Sequence, residues 1–492
     1  MAQQKHPKGL YVLFATEMWE RFNYYGMRAL LVLYLTASLT AGGFQLNRSE
    51  ALEIYAIFSG LVYLTPIIGG ILADKILGQR QAIYIGGILM ALGQFTLALS
   101  QTMPTTYRQF IFNSGLGIII LGNGFFKPNI STLVGKLYPD DDARKDAAFT
   151  IFYMGINLGA FIAPLICGYI ASQFGWSWGF SCAGIGMIVG VIWFITQEKY
   201  VENSELSANI PASTLSYTNR HITSWTRVML FTVSSIAFVW GVLWSVNHLS
   251  ITIQHYTLSI LIPIGVFAVA YLIFKNTNGM AEWKKSGVIL LLMLFNMVFW
   301  AGFEQAGGTF NLFAQQHTNR LIGNCEIPAS WFQAINAIGI IALAPIISSL
   351  WIWLTHRNKN PSIPIKFSFG LILLGLGFII MQIAKNTSID TPLVSPLWLV
   401  SVYTIHTVAE LCLSPIGLSM VSKLAPKKIT SVMMGLWFIS IAMGNYFAGM
   451  LENLLHHHLQ KVELFYFLAI TSISAGIVLG ILAPFLHRII KD

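Results

Sequence analysis

The sequence predicts an all-α polytopic membrane protein with fourteen transmembrane helices. Composition and a regular series of apolar segments support this fold class. Of the 492 residues, 55% are apolar and only 10% are charged, whereas an ordinary soluble domain is about 25% charged. The 33 Phe and 14 Trp residues suit lipid-facing surfaces and interfacial belts. Such a chain has too few charged side chains to cover a water-exposed surface.

Each predicted span meets the requirement that a membrane-crossing helix contain about 20 largely apolar residues. The first segment is too long for a signal-peptide core, so we interpret it as a retained span. The fourteen segments lie at about 10–38, 50–74, 81–100, 107–135, 146–173, 176–197, 224–245, 252–274, 287–315, 328–355, 367–385, 395–422, 429–453 and 463–488.

The basic residues indicate the direction of these spans, because cytoplasmic loops are enriched in Lys and Arg. With a cytoplasmic N-terminus, 21 of the 29 basic residues fall in cytoplasmic connectors and five fall outside. This distribution predicts that both termini are cytoplasmic. Basic residues interleaved with aromatic residues in one patch are absent from the sequence, which disfavours nucleic-acid binding.

The longest polar connector, at about 198–223, separates the first six spans from the rest. The sequence therefore predicts an N-terminal six-helix bundle at 1–200, a linker with a two-helix insert at 201–285, and a C-terminal six-helix bundle at 286–492. This is the layout of a major facilitator fold with an additional hairpin. In that fold the substrate binds between the two bundles near the membrane midplane.

Seven charged residues remain deep in the predicted spans. Each costs roughly 3 kcal/mol or more at the bilayer centre, so such residues usually face a bundle interior or a wet cavity and mark a transport path. The four anions exceed the three cations by one, and a buried unpaired carboxylate tends to bind a proton. The set therefore favours proton-coupled transport. Its members are Glu17, Glu20, Arg21, Arg28, Lys127, Glu304 and Glu410.

The first span carries a polar stripe. At about 100° per residue, its charged residues and two tyrosines fall within roughly 140° of arc. A salt-bridged stripe that only locks helices together is the structural alternative. Charges at similar depth in three other spans favour a transport path instead. The stripe consists of Glu17, Glu20, Arg21, Tyr24, Tyr25 and Arg28.

Several motifs, taken together, resemble the proton-dependent oligopeptide transporter family of the major facilitator superfamily. Residues 17–26 read EMWERFNYYG, residues 69–74 read GGILAD with Gly78 following, and residues 149–159 read FTIFYMGINLG. Residues 299–305 read FWAGFEQ and residues 410–415 read ELCLSP. The resemblance extends from residue 11 to about residue 450.

The resemblance implies proton-coupled import of di- and tripeptides by alternating access. Proton coupling would involve Glu17, Glu20, Arg21 and Glu304. Gate salt bridges would join Arg28 to Glu304 and Lys127 to Glu410. The substrate-binding residues would be Arg21, Tyr24, Tyr25, Arg28, Tyr63, Lys127, Asn157, Trp300, Asn336, Glu410, Ser414 and Trp437.

One position departs from the family pattern. Some members carry a second-span histidine implicated in proton coupling, and Ala56 stands there in this chain. Coupling is therefore expected to rest on carboxylates. The two-helix insert, without a large soluble domain between the ninth and tenth spans, is typical of prokaryotic members. It implies a bacterial cytoplasmic (inner) membrane protein.

The sequence leaves two alternative functions to weigh against peptide transport. A relative on the same scaffold could carry nitrate or another small amino or anionic compound, but Glu410 favours substrates with a free amine. A membrane-embedded enzyme would need a nucleophile–base pair or metal ligands, and His406 is the histidine that lies clearly mid-span. We therefore expect a monomeric transporter in the lipid bilayer, not an enzyme, with no metal and no cofactor other than protons as the coupling ion.

Overall fold

The structure, a computed structural model, describes residues 5–139, 142, 144–207, 225–248, 271, 275, 277, 279–391, 393–426, 429–458 and 463–491. Helices dominate this part of the chain. The helices up to the insert are α1 (Lys8–Thr36), α2 (Arg48–Leu72), α3 (Gln79–Ser100), α4 (Thr105–Lys136), α5 (Arg144–Phe174), α6 (Trp176–Ser207) and α7 (Trp225–His248).

The second half of the chain continues the helical series. A two-stranded antiparallel hairpin, β1 (Leu321–Ile322) and β2 (Cys325–Glu326), interrupts it. The helices are α8 (Met280–Phe303), α9 (Thr309–His317), α10 (Ala334–His356), α11 (Ile363–Asp390), α12 (Leu397–Leu424), α13 (Thr430–His458) and α14 (Leu464–Lys491).

The described helices confirm the predicted fold class. Eleven segments of the described residues are long and apolar enough to cross a membrane by length and composition. Helix α1, with 29 residues, contains five charged residues and is not among these segments. Helix α7 contributes a shorter apolar segment at Trp225–Gly241. The predicted span at 252–274 falls almost entirely outside the described residues. The count of fourteen therefore stays a prediction.

The predicted span at 287–315 is not one continuous helix. Helix α8 ends at Phe303, a 3₁₀ turn covers Glu304–Ala306, and α9 begins at Thr309 after Gly307 and Gly308. Adjacent glycines have no side chain to restrict the backbone, so the helical path changes there at little steric cost. Apolar periodicity alone does not reveal such a break, because both segments are apolar.

The chain divides into two compact units. Unit 1 comprises Met1–Trp240 with Ala306–Ile341, and unit 2 comprises Gly241–Gln305 with Ala342–Asp492. Within unit 1, the Asn311 amide donates to the Ala29 carbonyl at 2.9 Å. The two units are defined by which residues lie near one another, and this division does not test the predicted bundle boundaries near 200 and 286. Those boundaries stay a prediction.

Helices α3 and α4 of unit 1 pack closely on two glycine pairs. A Cβ at Gly86 would lie 2.6 Å from the Gly122 carbonyl oxygen, and one at Gly93 would lie 2.8 Å from the Gly115 carbonyl oxygen. Small residues let helix backbones approach in membranes, where apolar burial supplies little driving force for association. The glycine-rich segment of α4 is thus used for helix packing.

The insert helix α7 packs against this pair. The Trp225 ring lies 5.3 Å from the Tyr84 ring, and the Trp240 ring lies 6.1 Å from the Phe110 ring, both between centroids. The first helix of the insert therefore belongs to the packing of unit 1.

Unit 2 is held in part by buried hydrogen bonds to backbone carbonyls. His406 Nε2 lies 3.1 Å from the Leu374 carbonyl oxygen, and Ser368 donates to the Gly476 carbonyl at 2.7 Å. These bonds join α12 to α11 and α11 to α14. The mid-span histidine is thus a buried residue bonded to a neighbouring helix.

We predict that Gly86→Ala lowers the free energy of unfolding by about 1–3 kcal/mol, because the added methyl group meets backbone atoms that cannot move aside. The measurement is thermal unfolding of the purified protein in detergent. The matched control is Gly287→Ala in α8, where an added Cβ has nothing within 4 Å. Equal melting temperatures for the two variants would contradict glycine-mediated packing of α3 on α4.

Candidate functional site

Helix α1 brings three charged side chains into the interior of unit 1. Glu17, Glu20 and Arg21 are 2%, 0% and 3% exposed. Arg21 Nε lies 3.0 Å from Glu17 Oε1 and also contacts a Glu20 carboxylate oxygen. We call these three residues the carboxylate–guanidinium cluster. Two carboxylates therefore share one guanidinium in a buried setting.

The position of the cluster depends on close packing of α5 against α1. A Cβ at Gly159 would lie 2.3 Å from the Met18 carbonyl oxygen and 2.8 Å from Arg21 Cβ. Any larger residue at that position would push the two helices apart. Gly159 lies in the 149–159 motif, so the motif contributes backbone proximity to the cluster.

A residue that the sequence analysis did not select completes one side of the cluster. Asn123 of α4 donates from Nδ2 to Glu20 Oε1 at 2.8 Å, and both side chains are buried. Its mid-span position one helical turn before Lys127 was the available signal, because residues four apart share a helix face. Asn123 thus donates a hydrogen bond to the Glu20 carboxylate.

Four buried polar atoms of the cluster have no hydrogen-bond partner among the described residues: Glu17 Oε2, Glu20 Oε2, Arg21 Nε and Arg21 Nη2. Glu20 Oε2 and Arg21 Nε are in ion-pair contact with each other, which leaves Glu17 Oε2 and Arg21 Nη2. Buried polar groups are normally hydrogen-bonded, and the exceptions often have a functional role. A carboxylate oxygen in this state can accept a proton, and a guanidinium nitrogen can donate to an anionic ligand.

Arg28 lies two turns further along α1. Its Nε donates to the Tyr55 hydroxyl of α2 at 3.0 Å, and its guanidinium carbon lies 5.7 Å from the centroid of the Tyr25 ring. A Cβ at Gly307 would lie 2.1 Å from the Tyr55 hydroxyl oxygen. Tyr55 and Gly307 were not selected from the sequence, because their importance arises only from the contact between α2 and the segment before α9.

Lys127 of α4 faces the same region of unit 1. Its ammonium lies 4.1 Å from the centroid of the Tyr63 ring, a cation–π arrangement. It is also near enough to act electrostatically on Glu17 and Glu20. The cluster and this lysine together form one charged region.

Ten of the sequence-predicted site residues lie in unit 1. Asn157 is buried and donates to the Tyr153 carbonyl of its own helix at 3.0 Å. Tyr24 is buried and stacks on Phe58, with 6.2 Å between centroids. The ten residues are Glu17, Glu20, Arg21, Tyr24, Tyr25, Arg28, Tyr63, Lys127, Asn157 and Asn336.

Unit 2 contains the other five predicted residues: Trp300, Glu304, Glu410, Ser414 and Trp437. Trp300 Nε1 donates to Asn296 Oδ1 at 3.1 Å, and Asn296 donates to Ser440 Oγ at 2.8 Å. This chain of bonds holds the indole by its polar edge.

The two predicted acidic residues of unit 2 and Trp437 are also buried. Glu304 and Glu410 are 5% and 8% exposed. The Trp437 ring covers Gly417, where a Cβ would lie 2.3 Å from the indole. Each predicted gate pair has one member in each unit, so the Arg28–Glu304 and Lys127–Glu410 pairs stay predictions.

The acidic segment at 140–142 lies outside the spans. Arg144 donates from Nε to Asp142 Oδ1 at 3.0 Å, and this hydrogen bonding lowers the pKa of the Asp142 carboxyl to about 2. The carboxylate is therefore charged and bonded to Arg144 at physiological pH. Asp140 and Asp141, and the side chains of His456–His458, lie outside the described residues.

Comparison with known proteins identifies the family. Residues 80–467 match the family model PTR2, described as the POT family. The chain belongs to the POT family. It is 39% identical over 460 residues to the peptide transporter YePEPT of Yersinia enterocolitica, which covers 91% of this chain and 87% of that protein. It is 35% identical to a di-/tripeptide transporter of Lactococcus lactis subsp. cremoris, which covers 97% of this chain and 94% of that protein.

A solved structure of a POT transporter has the same fold. It is a glutamate-to-glutamine mutant of the peptide transporter POT in complex with alafosfalin, with a TM-score of 0.81 and 34% identity. The match covers 99% of this chain and 96% of that chain. The predicted family and the predicted absence of enzymatic function are confirmed. This POT family chain is a multi-span membrane transporter.

We predict that Asn123→Ala destabilises this transporter by about 1.5–3 kcal/mol at neutral pH, because Glu20 loses a hydrogen bond to its charged form. The matched control on the same helix is Asn129→Ala, which removes a 2.7 Å bond to the Phe125 carbonyl, a neutral acceptor. Thermal unfolding in detergent measures both variants. A smaller loss for Asn123→Ala than for Asn129→Ala would contradict a charge-assisted bond to Glu20.

Proposed function

We propose that this POT family transporter imports di- and tripeptides together with protons by alternating access. The observation that carries the proposal is the buried cluster in which two carboxylates share one guanidinium. A second carboxylate without its own cation provides a place for a proton. The relatives named as peptide and di-/tripeptide transporters support the substrate class.

In this proposal, proton binding changes the partners of Arg21. When Glu17 and Glu20 are both ionised, the guanidinium is shared between them. Protonation of one glutamate removes its negative charge, and Arg21 is then less strongly held by carboxylates. Arg21 Nη2, which has no hydrogen-bond partner among the described residues, can donate to the carboxylate of an incoming peptide. The presence of Ala56, where some family members carry a histidine, supports a carboxylate-based step.

The substrate is proposed to bind as a zwitterion between separated charges. Its carboxylate is attracted by Arg21, Arg28 and Lys127, and its ammonium group by Glu410. The tyrosines and asparagines bond the peptide backbone, which all peptides share, while Trp300 and Trp437 provide apolar surface for side chains. Backbone recognition combined with apolar contact tolerates many side chains.

Two proposed ion pairs link substrate binding to opening and closing. Arg28 pairs with Glu304 and Lys127 pairs with Glu410, and each pair forms in one state and opens in another. A passive channel does not need such pairs. We further propose the bacterial cytoplasmic membrane as the location, with both termini in the cytoplasm, on the distribution of basic residues.

Uptake into proteoliposomes tests the proposed function. With an imposed inward proton gradient, labelled dipeptide and tripeptide are expected to accumulate above the external concentration, and a protonophore is expected to abolish this accumulation. Free amino acids and nitrate serve as competing substrates. Accumulation of either one without peptide accumulation would refute the peptide assignment and favour the small amino or anionic compound.

Glu20→Gln separates coupling from binding. The variant is expected to lose gradient-driven accumulation, because the amide cannot exchange a proton, but to retain exchange of peptide across the membrane without a gradient. Glu326→Gln is the control, since Glu326 lies in the exposed β hairpin, where it pairs with Arg320. Normal uphill accumulation by Glu20→Gln would exclude Glu20 from proton coupling.

A further inference from the structure

An apolar groove lies at the surface of unit 1. Its floor is on α1 and its walls are on α5 and α6, with a volume of about 260 Å³. Every residue that lines it is uncharged and the lining contains no polar surface. Representative residues are Met18, Trp19, Ile162, Ile166, Ile185 and Val189.

The groove is built by large α1 side chains that lie on α6 glycines. A Cβ at Gly186 would lie 2.4 Å from the Phe22 ring, and one at Gly190 would lie 2.7 Å from Trp19 Cβ. The aliphatic side chains along the rim, among them Ile185 and Val189, are 52% and 40% exposed. An exposed apolar surface at this depth of a spanning helix faces lipid chains.

Two lysines lie at one end of the same helices. Lys8 of α1 and Lys199 of α6 each place their ammonium 5.4 Å from the centroid of the Tyr200 ring. Both lysines are exposed, and no carboxylate of the described residues forms an ion pair with either. The adjacent Glu198 is engaged instead by Arg80, at 3.7 Å, and by the Tyr84 hydroxyl.

The distance along the helices from the lysines to the groove is about the hydrocarbon thickness of one membrane leaflet. Ten residues of α1 separate Lys8 from Met18, a rise of about 15 Å, and eleven residues of α6 separate Tyr200 from Val189, about 16 Å. Half of the hydrocarbon core is also about 15 Å thick. With the lysines at the membrane interface, the groove therefore lies near the midplane, where a lipid chain ends.

The surface between these two points is apolar and accessible. Tyr11 of α1 and Ile192 of α6 are 53% and 55% exposed, and both lie between the lysines and the groove along their helices. Trp193 Nε1 donates to the Val12 carbonyl at 3.3 Å, which keeps α6 against α1 along this path. A continuous strip thus runs from a positively charged end to an apolar groove.

We propose that this strip binds one anionic phospholipid, with the phosphate between Lys8 and Lys199 and one acyl chain extending into the groove. Basic residues at a membrane surface attract anionic lipid headgroups. The two ammonium groups beside Tyr200 supply the charge, and the groove supplies a surface for the chain end. The site is separate from the proposed peptide path and does not depend on it.

Native mass spectrometry of the full chain in detergent tests the headgroup. The protein is titrated with phosphatidylglycerol or with phosphatidylcholine of the same acyl chains. The double variant Lys8→Ala/Lys199→Ala is expected to weaken phosphatidylglycerol binding roughly twenty-five-fold, since each basic residue contributes about a fivefold effect, and to leave the weak phosphatidylcholine binding unchanged. The matched control is Lys284→Ala/Lys359→Ala.

Unchanged phosphatidylglycerol binding in the Lys8/Lys199 variant, or equal binding of the two lipids by the unmodified protein, would overturn the proposal. A loss of the same size in the control variant would also overturn it, because binding would then follow total charge. Competition by inorganic phosphate that fully displaces the lipid would show a phosphate site without a chain site, which contradicts the acyl-chain part.

Photocrosslinking tests the acyl chain directly. Phosphatidylglycerol with a diazirine at the end of one chain is expected to label peptides that contain residues 159–166 or 182–189. Ile162→Trp, which fills the groove, is expected to reduce this labelling severalfold while the protein elutes and unfolds normally. Labelling spread evenly over the spans, or unaffected by Ile162→Trp, would refute the groove as the chain site.

Discussion

The central constraint on this protein is the cost of placing charge inside a membrane. Each intramembrane charge costs roughly 3 kcal/mol or more, so α1 can retain Glu17, Glu20 and Arg21 only where other groups stabilise them. Arg21 contacts both carboxylates, and Asn123 donates to Glu20. The stabilisation is incomplete, because four polar atoms of the cluster lack hydrogen-bond partners among the described residues.

Close helix packing makes this arrangement possible. Gly159 lets α5 approach the α1 backbone at the level of Arg21, and Gly86 and Gly122 let α3 approach α4, the helix that carries Asn123 and Lys127. Because association in lipid depends on packing and polar contacts, the glycines position the charges. Gly186 and Gly190 have a similar effect where α6 meets α1, since the large rings of Trp19 and Phe22 lie over them and help to form the apolar groove.

The structure differed from the sequence analysis where contacts between distant segments decide the outcome. Asn123, Tyr55 and Gly307 touch the predicted charged residues but carry no charge themselves, so the charge inventory did not select them. The break between α8 and α9 was missed because both segments are apolar. The pairing of Arg28 with Glu304 and of Lys127 with Glu410 joins residues of different units and remains a prediction.

The sequence alone determined the fold class, the family and the buried charges. Span length, low charge content and family motifs are local properties that hydrophobicity and spacing express directly. Tertiary structure decided which atoms stabilise those charges, among them the Asn123 amide that donates a hydrogen bond to Glu20. It also decided that an apolar groove and two lysines lie on one strip of the surface. These features depend on how side chains from separate helices meet, and the distance between helices is set by packing, which no single segment encodes.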